Sequence, residues 1–250
     1  MLLAIDIGNT NITFGLFKGS RLIKKAQMPT SAIGKYGSFV RKLKNGRGDS
    51  IKAIVICSVV PKAEKALIEA LRHSFSVRVF VLGKDIKVPI KNLYKNPKQV
   101  GQDRLVTAYA AWALYGGDKS IVVIDFGTAV TFDVVSKKGA YLGGLIFPGM
   151  EMSLDALSKK AALLPKVSLR RPSFIIGKTT KDSMASGAFY GYAAMCDGLV
   201  NKFEKRFNQK FFVLATGGNA SLVSPLSSSI KKVDNDLVLK GINLAFKKNN

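Results

Sequence analysis

The sequence predicts an α/β protein of two related halves, each a mixed sheet flanked by helices. Three observations carry this expectation. Apolar runs of strand length alternate with amphipathic stretches of helix length along the whole chain. A short motif, Asp-x-Gly followed by hydroxyl and amide residues, occurs twice about half a chain apart, as Asp6-Ile7-Gly8-Asn9-Thr10-Asn11-Ile12-Thr13-Phe14 and as Asp125-Phe126-Gly127-Thr128-Ala129-Val130-Thr131-Phe132. Each copy follows an apolar run, Leu2-Leu3-Ala4-Ile5 or Ile121-Val122-Val123-Ile124, and each opens a meander. With one residue skipped, Thr10, Thr13 and Phe14 match Thr128, Thr131 and Phe132. Two copies, rather than many at a short period, argue for a duplicated domain and not a solenoid. The halves are expected at 1–117 and 118–250, parted at Gly116-Gly117-Asp118.

In order, 2–6, 11–17 and 21–28 read as three antiparallel strands, with a turn at Lys18-Gly19-Ser20. A helix over 33–45 would bury Phe39, Val40 and Leu43. Strand 52–57 leads to Pro61, which suits the first turn of a helix running to Ser74. Strand 77–82 follows, then an irregular segment from Val88 to Val100 that holds Tyr94. Gly101-Gln102-Asp103-Arg104 opens an alanine-rich helix to Tyr115. Asp103 is well placed as an acid in a helix's first turn, but a cation there is disfavoured, so Arg104 points to a ligand clamp.

In the second half, strands 121–126 and 129–135 lead through Lys137-Lys138-Gly139 to Gly143-Gly144 and Pro148-Gly149. A helix over 150–162 ends at Leu163-Leu164-Pro165, and 166–173 is a loop. A helix over 181–206 carries Ala185, Gly187, Ala188, Gly191, Ala193, Ala194 and Gly198. These small residues permit close packing, against a second copy or the other half, or within the monomer core. Strand 211–215 ends in Thr216-Gly217-Gly218-Asn219, a candidate adenosine contact at a strand's C-terminal end. A helix over 237–247 closes the chain.

The chemistry follows from the residue types. Glycine lets backbone approach a ligand, and successive turn N–H groups can cradle phosphate oxygens. A carboxylate beside such a cradle repels the anion unless a cation lies between. Two Asp-x-Gly hairpins therefore point to a nucleotide polyphosphate with a metal ion in a cleft between the halves. Gly117-Asp118-Lys119-Ser120 is no phosphate loop of the P-loop kind, because Trp112 stands where its first glycine belongs and the lysine precedes a strand. The lone His73 argues against Ser-His-Asp chemistry and histidine-based metal sites.

Composition narrows the class further. The 250 residues carry 39 Lys and Arg against 16 Asp and Glu, a net charge of +23. The basic residues recur in pairs without a long block or interleaved aromatics, so they read as solvated surface, with some steering of anionic substrates; nucleic acid is not expected as a partner. No apolar run reaches membrane-spanning length, and Asp6 breaks the N-terminal one, so neither a membrane span nor a signal peptide is expected. Cys57 and Cys196 lie far apart in apolar surroundings and read as buried thiols in the cytoplasm.

Six motifs in this order resemble those of the type III pantothenate kinases, of the actin/Hsp70/sugar-kinase-like superfamily. They are Asp6-x-Gly8-Asn9-Thr10 with Gly15, Gly101-x-Asp103-Arg104, Asp125-x-Gly127-Thr128-Ala129, Gly143-Gly144-x-Ile146-x-Pro148-Gly149, Leu163-Leu164-Pro165 and Thr216-Gly217-Gly218. The resemblance spans nearly the whole chain and implies two ribonuclease H-like halves of the actin-like ATPase kind. It implies ATP-dependent phosphorylation of pantothenate to 4'-phosphopantothenate, the first step toward coenzyme A, by a homodimer. By the same resemblance, Asp6, Ile7, Gly8, Asn9, Thr10, Asn11, Ile12 and Thr13 hold ATP phosphates, with Asp6 near Mg²⁺, and Thr128 contacts phosphate. Asp125 binds a monovalent cation, K⁺ or NH₄⁺. Asp103 is the catalytic base; Tyr94, Gly101, Gln102, Arg104 and Thr180 contact the substrate with it. The family usually has Asn-Thr where this chain has Thr179-Thr180, so the substrate role carries to Thr180 alone. Two rival readings are a non-catalytic transcriptional accessory factor of the same family and another small-molecule kinase of the superfamily.

Overall fold

The computed structural model describes residues 1–47 and 51–249, with side chains throughout except at 44–47. It divides into two compact units, Met1–Ala110 with Asp236–Asn250, and Ala111–Asn235. This is not the division at 117/118 read from the motifs. The first unit takes the C-terminal helix, because that helix is apolar where it meets the first sheet.

In the first unit β1 (Leu2–Ile7), β2 (Asn11–Lys18) and β3 (Arg21–Pro29) form the expected meander. A 3-10 turn leads to α1 (Tyr36–Arg47), then β4 (Ala53–Ser58), α2 (Pro61–Ser74) and a short β5 (Val79–Val81). The sheet order is β3-β2-β1-β4-β5, with β1, β4 and β5 parallel. Alternation assigns its two faces. Leu3, Ile5, Ile7, Ile12, Phe14, Leu16, Ile54 and Ile56 pack on α1 and α2 through Tyr36, Val40, Leu67 and Leu71. The segment from Val88 to Val100, expected to be irregular, holds a two-residue strand, β6 (Lys91–Asn92), and a 3-10 turn over Pro97–Gln99. It leads into α3 (Gln102–Tyr115).

The second unit repeats the meander as β7 (Ser120–Phe126), β8 (Ala129–Val135) and β9 (Ala140–Pro148). Then come α4 (Met150–Lys160), α5 (Thr180–Phe207), β10 (Phe211–Thr216), α6 (Ala220–Val223) and β11 (Lys232–Val233). Its five strands run in the order β11-β10-β7-β8-β9. Val122, Ile124, Phe126, Phe132 and Val213 face Leu154, Phe189, Ala193 and Cys196 of α4 and α5. The last helix, α7 (Leu237–Asn249), buries Leu237, Leu239, Ile242 and Ala245. It packs on β1, β2 and β4 of the first unit, and a Cβ at Gly241 would lie 2.4 Å from the Val106 carbonyl. Side-chain bulk there would push α7 off α3.

One carboxylate organises a loop of the second unit. Asp197 on α5 accepts five hydrogen bonds, from the Oγ atoms of Ser227, Ser228 and Ser229 and the backbone N–H groups of Ser228 and Ser229. Burial pushes its proton affinity up, but these donors outweigh burial and hold the carboxyl well below the usual range. The bonded form is ionised, so its stabilisation is present above the unfolded pKa and fades as pH falls below it. Asp197→Ala should cost about 2–4 kcal/mol of stability at neutral pH, by urea denaturation. The deficit should shrink in acid. A loss under 0.5 kcal/mol, the roughly neutral range of surface substitutions, would mean that the loop holds without it.

Candidate active site

In the first unit the site grows from the carboxyl end of β1. Asp6 stands opposite Thr13 on β2 and opposite Cys57 on β4. The hairpin then closes tightly: the Gly8 N–H donates to the Asn11 carbonyl at 3.0 Å, and Thr30 Oγ1 donates to the Gly8 carbonyl at 2.7 Å. Asn9, Thr10 and Asn11 are exposed at the tip. Ile7 and Ile12 point into the core, so those two can face a ligand through backbone only. On β3 the Gln27 Nε2 donates to Thr13 Oγ1 at 3.2 Å.

Asp103 comes to the same end of the sheet. It lies in the first turn of α3 and its Oδ1 accepts from the Arg104 N–H at 2.8 Å. The Cys57 thiol, opposite Asp6 on β4, is fully buried. Burial raises its pKa well above the thiol value, and the charges of Asp6, Asp103 and Glu64, in that order, raise it further. Burial also raises the Asp103 carboxyl, only partly opposed by the Arg104 N–H and the Arg104 charge. A carboxylate held out of water in this way is a stronger base than an ordinary aspartate. Arg104 sends its Nη2 atom into a fully buried position.

Gln102, half-buried, packs against the turn after β5. Gly83 adopts a φ of +82°, and a Cβ there would come within 2.8 Å of the Gln102 side chain. Its N–H donates to the Ile86 carbonyl at 2.7 Å. This turn shapes the wall behind the Gly101–Arg104 segment, and nothing in the sequence reading singled it out. Tyr94 is half-buried, its N–H donating to Asn92 Oδ1 at 3.0 Å.

A second cluster forms in the other unit. Asp125, next to last in β7, stands opposite Thr131 on β8 and Thr216 on β10. Gly217 has a φ of +91°, and a Cβ there would be 2.3 Å from Asp125 Oδ1 and 2.7 Å from the Phe126 nitrogen. Only glycine lets this backbone pass. Thr128 is exposed at the hairpin tip, and its carbonyl accepts the Gly149 N–H at 3.1 Å. Thr180 is the exposed first residue of α5. Thr179 has a separate job as the N-cap, its Oγ1 accepting the Asp182 N–H.

No three His, Cys, Asp or Glu side chains come together among the described residues to hold a metal ion. Asp6 and Asp125 each bring one carboxylate to the end of a strand. That donor set suits an ion whose other ligands are phosphate oxygens, backbone carbonyls and water, as Mg²⁺ bound with a nucleotide is. No described helix is long and apolar enough to cross a membrane.

These features can be set beside known proteins. The family model for type III pantothenate kinase matches residues 2–202. A type III pantothenate kinase of Myxococcus xanthus (strain DK1622) is 42% identical over 255 residues, an alignment covering 100% of this chain and 99% of that protein. One of Geobacter sulfurreducens (strain ATCC 51573 / DSM 12127 / PCA) is 39% identical, with the same coverage. Among solved structures, the ROK hexokinase of Thermus thermophilus superposes with a TM-score of 0.54 at 17% identity, covering 100% of this chain and 99% of that one. That likeness speaks to fold alone: two mixed sheets with flanking helices, as in the actin-like sugar kinases.

Proposed function

The chain belongs to the type III pantothenate kinase family, and from that premise we propose how its residues divide the work of phosphorylating pantothenate. The reaction transfers the γ-phosphoryl group of ATP to the primary hydroxyl of pantothenate, giving 4'-phosphopantothenate on the way to coenzyme A. The accessory-factor reading is not favoured, since the full-length relatives are named as kinases.

Phosphoryl transfer asks a protein mainly for positioning and charge neutralisation. The segment Asp6–Thr13 binds the ATP phosphates through the exposed tip at Asn9, Thr10 and Asn11, with Asp6 beside Mg²⁺. Thr128 supplies a hydroxyl to phosphate. Asp125 holds a monovalent cation, K⁺ or NH₄⁺. When bound, the two cations offset the negative charge of the phosphates. Asp103 accepts the proton of the attacking hydroxyl. Arg104 pairs with an anionic group of the substrate, the carboxylate or the phosphoryl. Tyr94, Gly101, Gln102 and Thr180 complete the substrate pocket. The observation that carries this assignment is the packing of Gln102 on the Gly83 turn, which follows β5 at the same end of the parallel strands where β1 finishes after Asp6. It brings the proposed base to the strand end that bears the proposed phosphate loop. The test is ADP production from ATP and Mg²⁺ with and without pantothenate, in K⁺ and then Na⁺. Turnover that does not depend on pantothenate would overturn the substrate assignment.

The working form is a homodimer in the cytoplasm. Two buried free thiols, Cys57 and Cys196, fit a reducing compartment. For the dimer, the support lies on α5. Gly187, Gly191, Ala194 and Gly198 make an exposed stripe, and a Cβ on any of the three glycines would meet nothing within 4 Å. Three helical glycines cost about 2–3 kcal/mol relative to alanine. Close approach of a second α5 offsets that. Gly191→Ala should therefore weaken dimerisation, raising the dimer dissociation constant about tenfold by sedimentation. A variant that is simply more stable, with dimerisation unchanged, would leave the stripe facing water.

A further inference from the structure

The positive charge is unevenly placed. The first unit holds 23 Lys and Arg against seven Asp and Glu, a net +16 of the chain's +23. Of those seven acids, Asp6 and Asp103 belong to the candidate site. Glu64 pairs with Lys84, Asp236 pairs with Lys25, and Asp85 accepts the Val81 N–H. Much of the unit's negative charge is thus engaged internally.

Sheet register gathers the basic residues at one end. β2 finishes at Lys18 and β3 starts at Arg21, and these two are paired in register. Lys52 immediately precedes β4, its N–H donating to the Met1 carbonyl at 2.8 Å, so it is level with the start of β1. Arg78 immediately precedes β5, its carbonyl accepting the Ile54 N–H. Four of the five strands therefore carry a cation at this end, on the terminal residue of β2 and β3 and on the residue before β4 and β5. The last turn of α7 comes to that edge as well: Lys247 Nζ lies 2.8 Å from Ser20 Oγ, with Lys248 beside it in sequence. All six side chains are exposed. The described segments 17–22, 51–53, 72–79 and 244–249 at this end contain no Asp or Glu. The candidate site is at the opposite end, where β1 finishes and β2 begins.

We propose that this end of the first unit is a docking surface for the phosphodiester backbone of double-stranded nucleic acid, separate from the kinase site. Strands spaced about 4.8 Å apart put the row across about 19 Å, close to the width of a duplex. The row offers point charges to phosphates and nothing that reads bases. Single-stranded binders add aromatic stacking platforms. Here Phe75 is buried and Phe80 lies under the Arg78 guanidinium, 4.6 Å from its ring centroid. The large apolar side chains exposed elsewhere, such as Leu163, Phe174 and Ile176, are absent from these segments. That disfavours a surface that inserts into a bilayer. Edge protection against aggregation accounts for Lys24 and Lys25 within β3, but not for cations at the ends of inner strands.

The test uses the full chain and a fluorescent 20-base-pair duplex of arbitrary sequence, with anisotropy read from 25 to 300 mM KCl. With about four to six phosphates neutralised, log affinity should fall against log salt with a slope of about −4 to −5. The variant Lys18→Gln, Arg21→Gln, Lys52→Gln, Arg78→Gln, Lys247→Gln, Lys248→Gln should lose at least tenfold in affinity at 50 mM and most of the slope. Its pantothenate-dependent turnover should match the wild type, which also reports that it is folded. A control carrying six Gln substitutions at Lys95, Lys98, Lys159, Lys160, Lys205 and Lys210 should keep most of the binding. No duplex binding by the wild type at 25 mM would overturn the proposal. So would equal losses in the two variants, which would mean net charge alone, or binding to phosphatidylserine vesicles but not to duplex.

Discussion

Asp103→Asn is expected to lower kcat about a thousandfold while leaving ATP affinity within a factor of two or three, the scale on which removing a general base acts. The two readouts separate because the proposed ATP-binding groups and the proposed base are different residues. Asparagine keeps the shape, and its Oδ1 can still accept the Arg104 N–H, so helix α3 has no reason to shift. The pH profile adds an independent check. Burial raises the folded-state pKa of Asp103 above that of an ordinary aspartate. A base must be deprotonated, so wild-type kcat should decline with acid over a range above the usual carboxylate pKa. The stability consequence has the opposite sense from Asp197. A raised folded pKa means that the native state favours the proton. The ionised group therefore opposes folding, with an effect absent below the unfolded pKa and complete above the folded one. Removing the charge should leave Tm unchanged or raise it. A variant that turns over within threefold of wild type would remove Asp103 from proton transfer. A variant that lost activity only because Tm collapsed would equally contradict the assignment.

What the sequence disclosed and what it hid have separate physical causes. The meanders were legible because β1 and β7 are buried on both faces and read as continuous apolar runs, and because the turns that follow carry glycine. The skipped residue in the motif alignment has a structural counterpart. Asp6 pairs with Thr13 and Asp125 with Thr131, so the first hairpin is one residue longer between equivalent partners. The duplication goes further than the motif reading saw. Each third strand ends in proline, Pro29 or Pro148, and the next residue donates its N–H to Thr10 or Thr128, at 2.9 and 3.1 Å. Those prolines lie about twenty residues past their aspartates, too far for a local pattern to show. The division into units was hidden for a related reason. α7 is an ordinary amphipathic helix, and only long-range packing says which sheet it covers. Gly83 and Asp197 were missed because their partners, Gln102 and the serines 227–229, are distant in sequence. The basic edge was also invisible, because Lys18, Arg21, Lys52 and Arg78 look scattered until register aligns the strand ends.

Asp125→Ala is expected to lower turnover by about a hundredfold to a thousandfold, the usual scale for losing one preorganised charge contact at a transferring group. The remaining activity should no longer respond when Na⁺ replaces K⁺. The argument begins at Gly217. Its backbone, at a φ of +91°, passes so close to Asp125 that no Cβ fits between them. Thr216, fully buried, and Thr131 flank the carboxylate in register. The side chain is held by covalent geometry and packing, which is what a group needs if it is to organise an ion rather than swing toward solvent. Among the described residues this carboxylate has no two further acidic, Cys or His neighbours, which leaves too little charge for a protein-only divalent cage. It suits a singly charged ion completed by carbonyl, hydroxyl and phosphate oxygens. Gly217→Ala tests the same idea without touching the carboxylate. Displacing Asp125 should reproduce the loss of turnover and of K⁺ response, with stability lowered by about 1–3 kcal/mol for a strained backbone position. If Asp125→Ala kept full turnover with its K⁺ response intact, the cation would have to be bound elsewhere. Gly217 would then be conserving the path of the loop after β10 and nothing more.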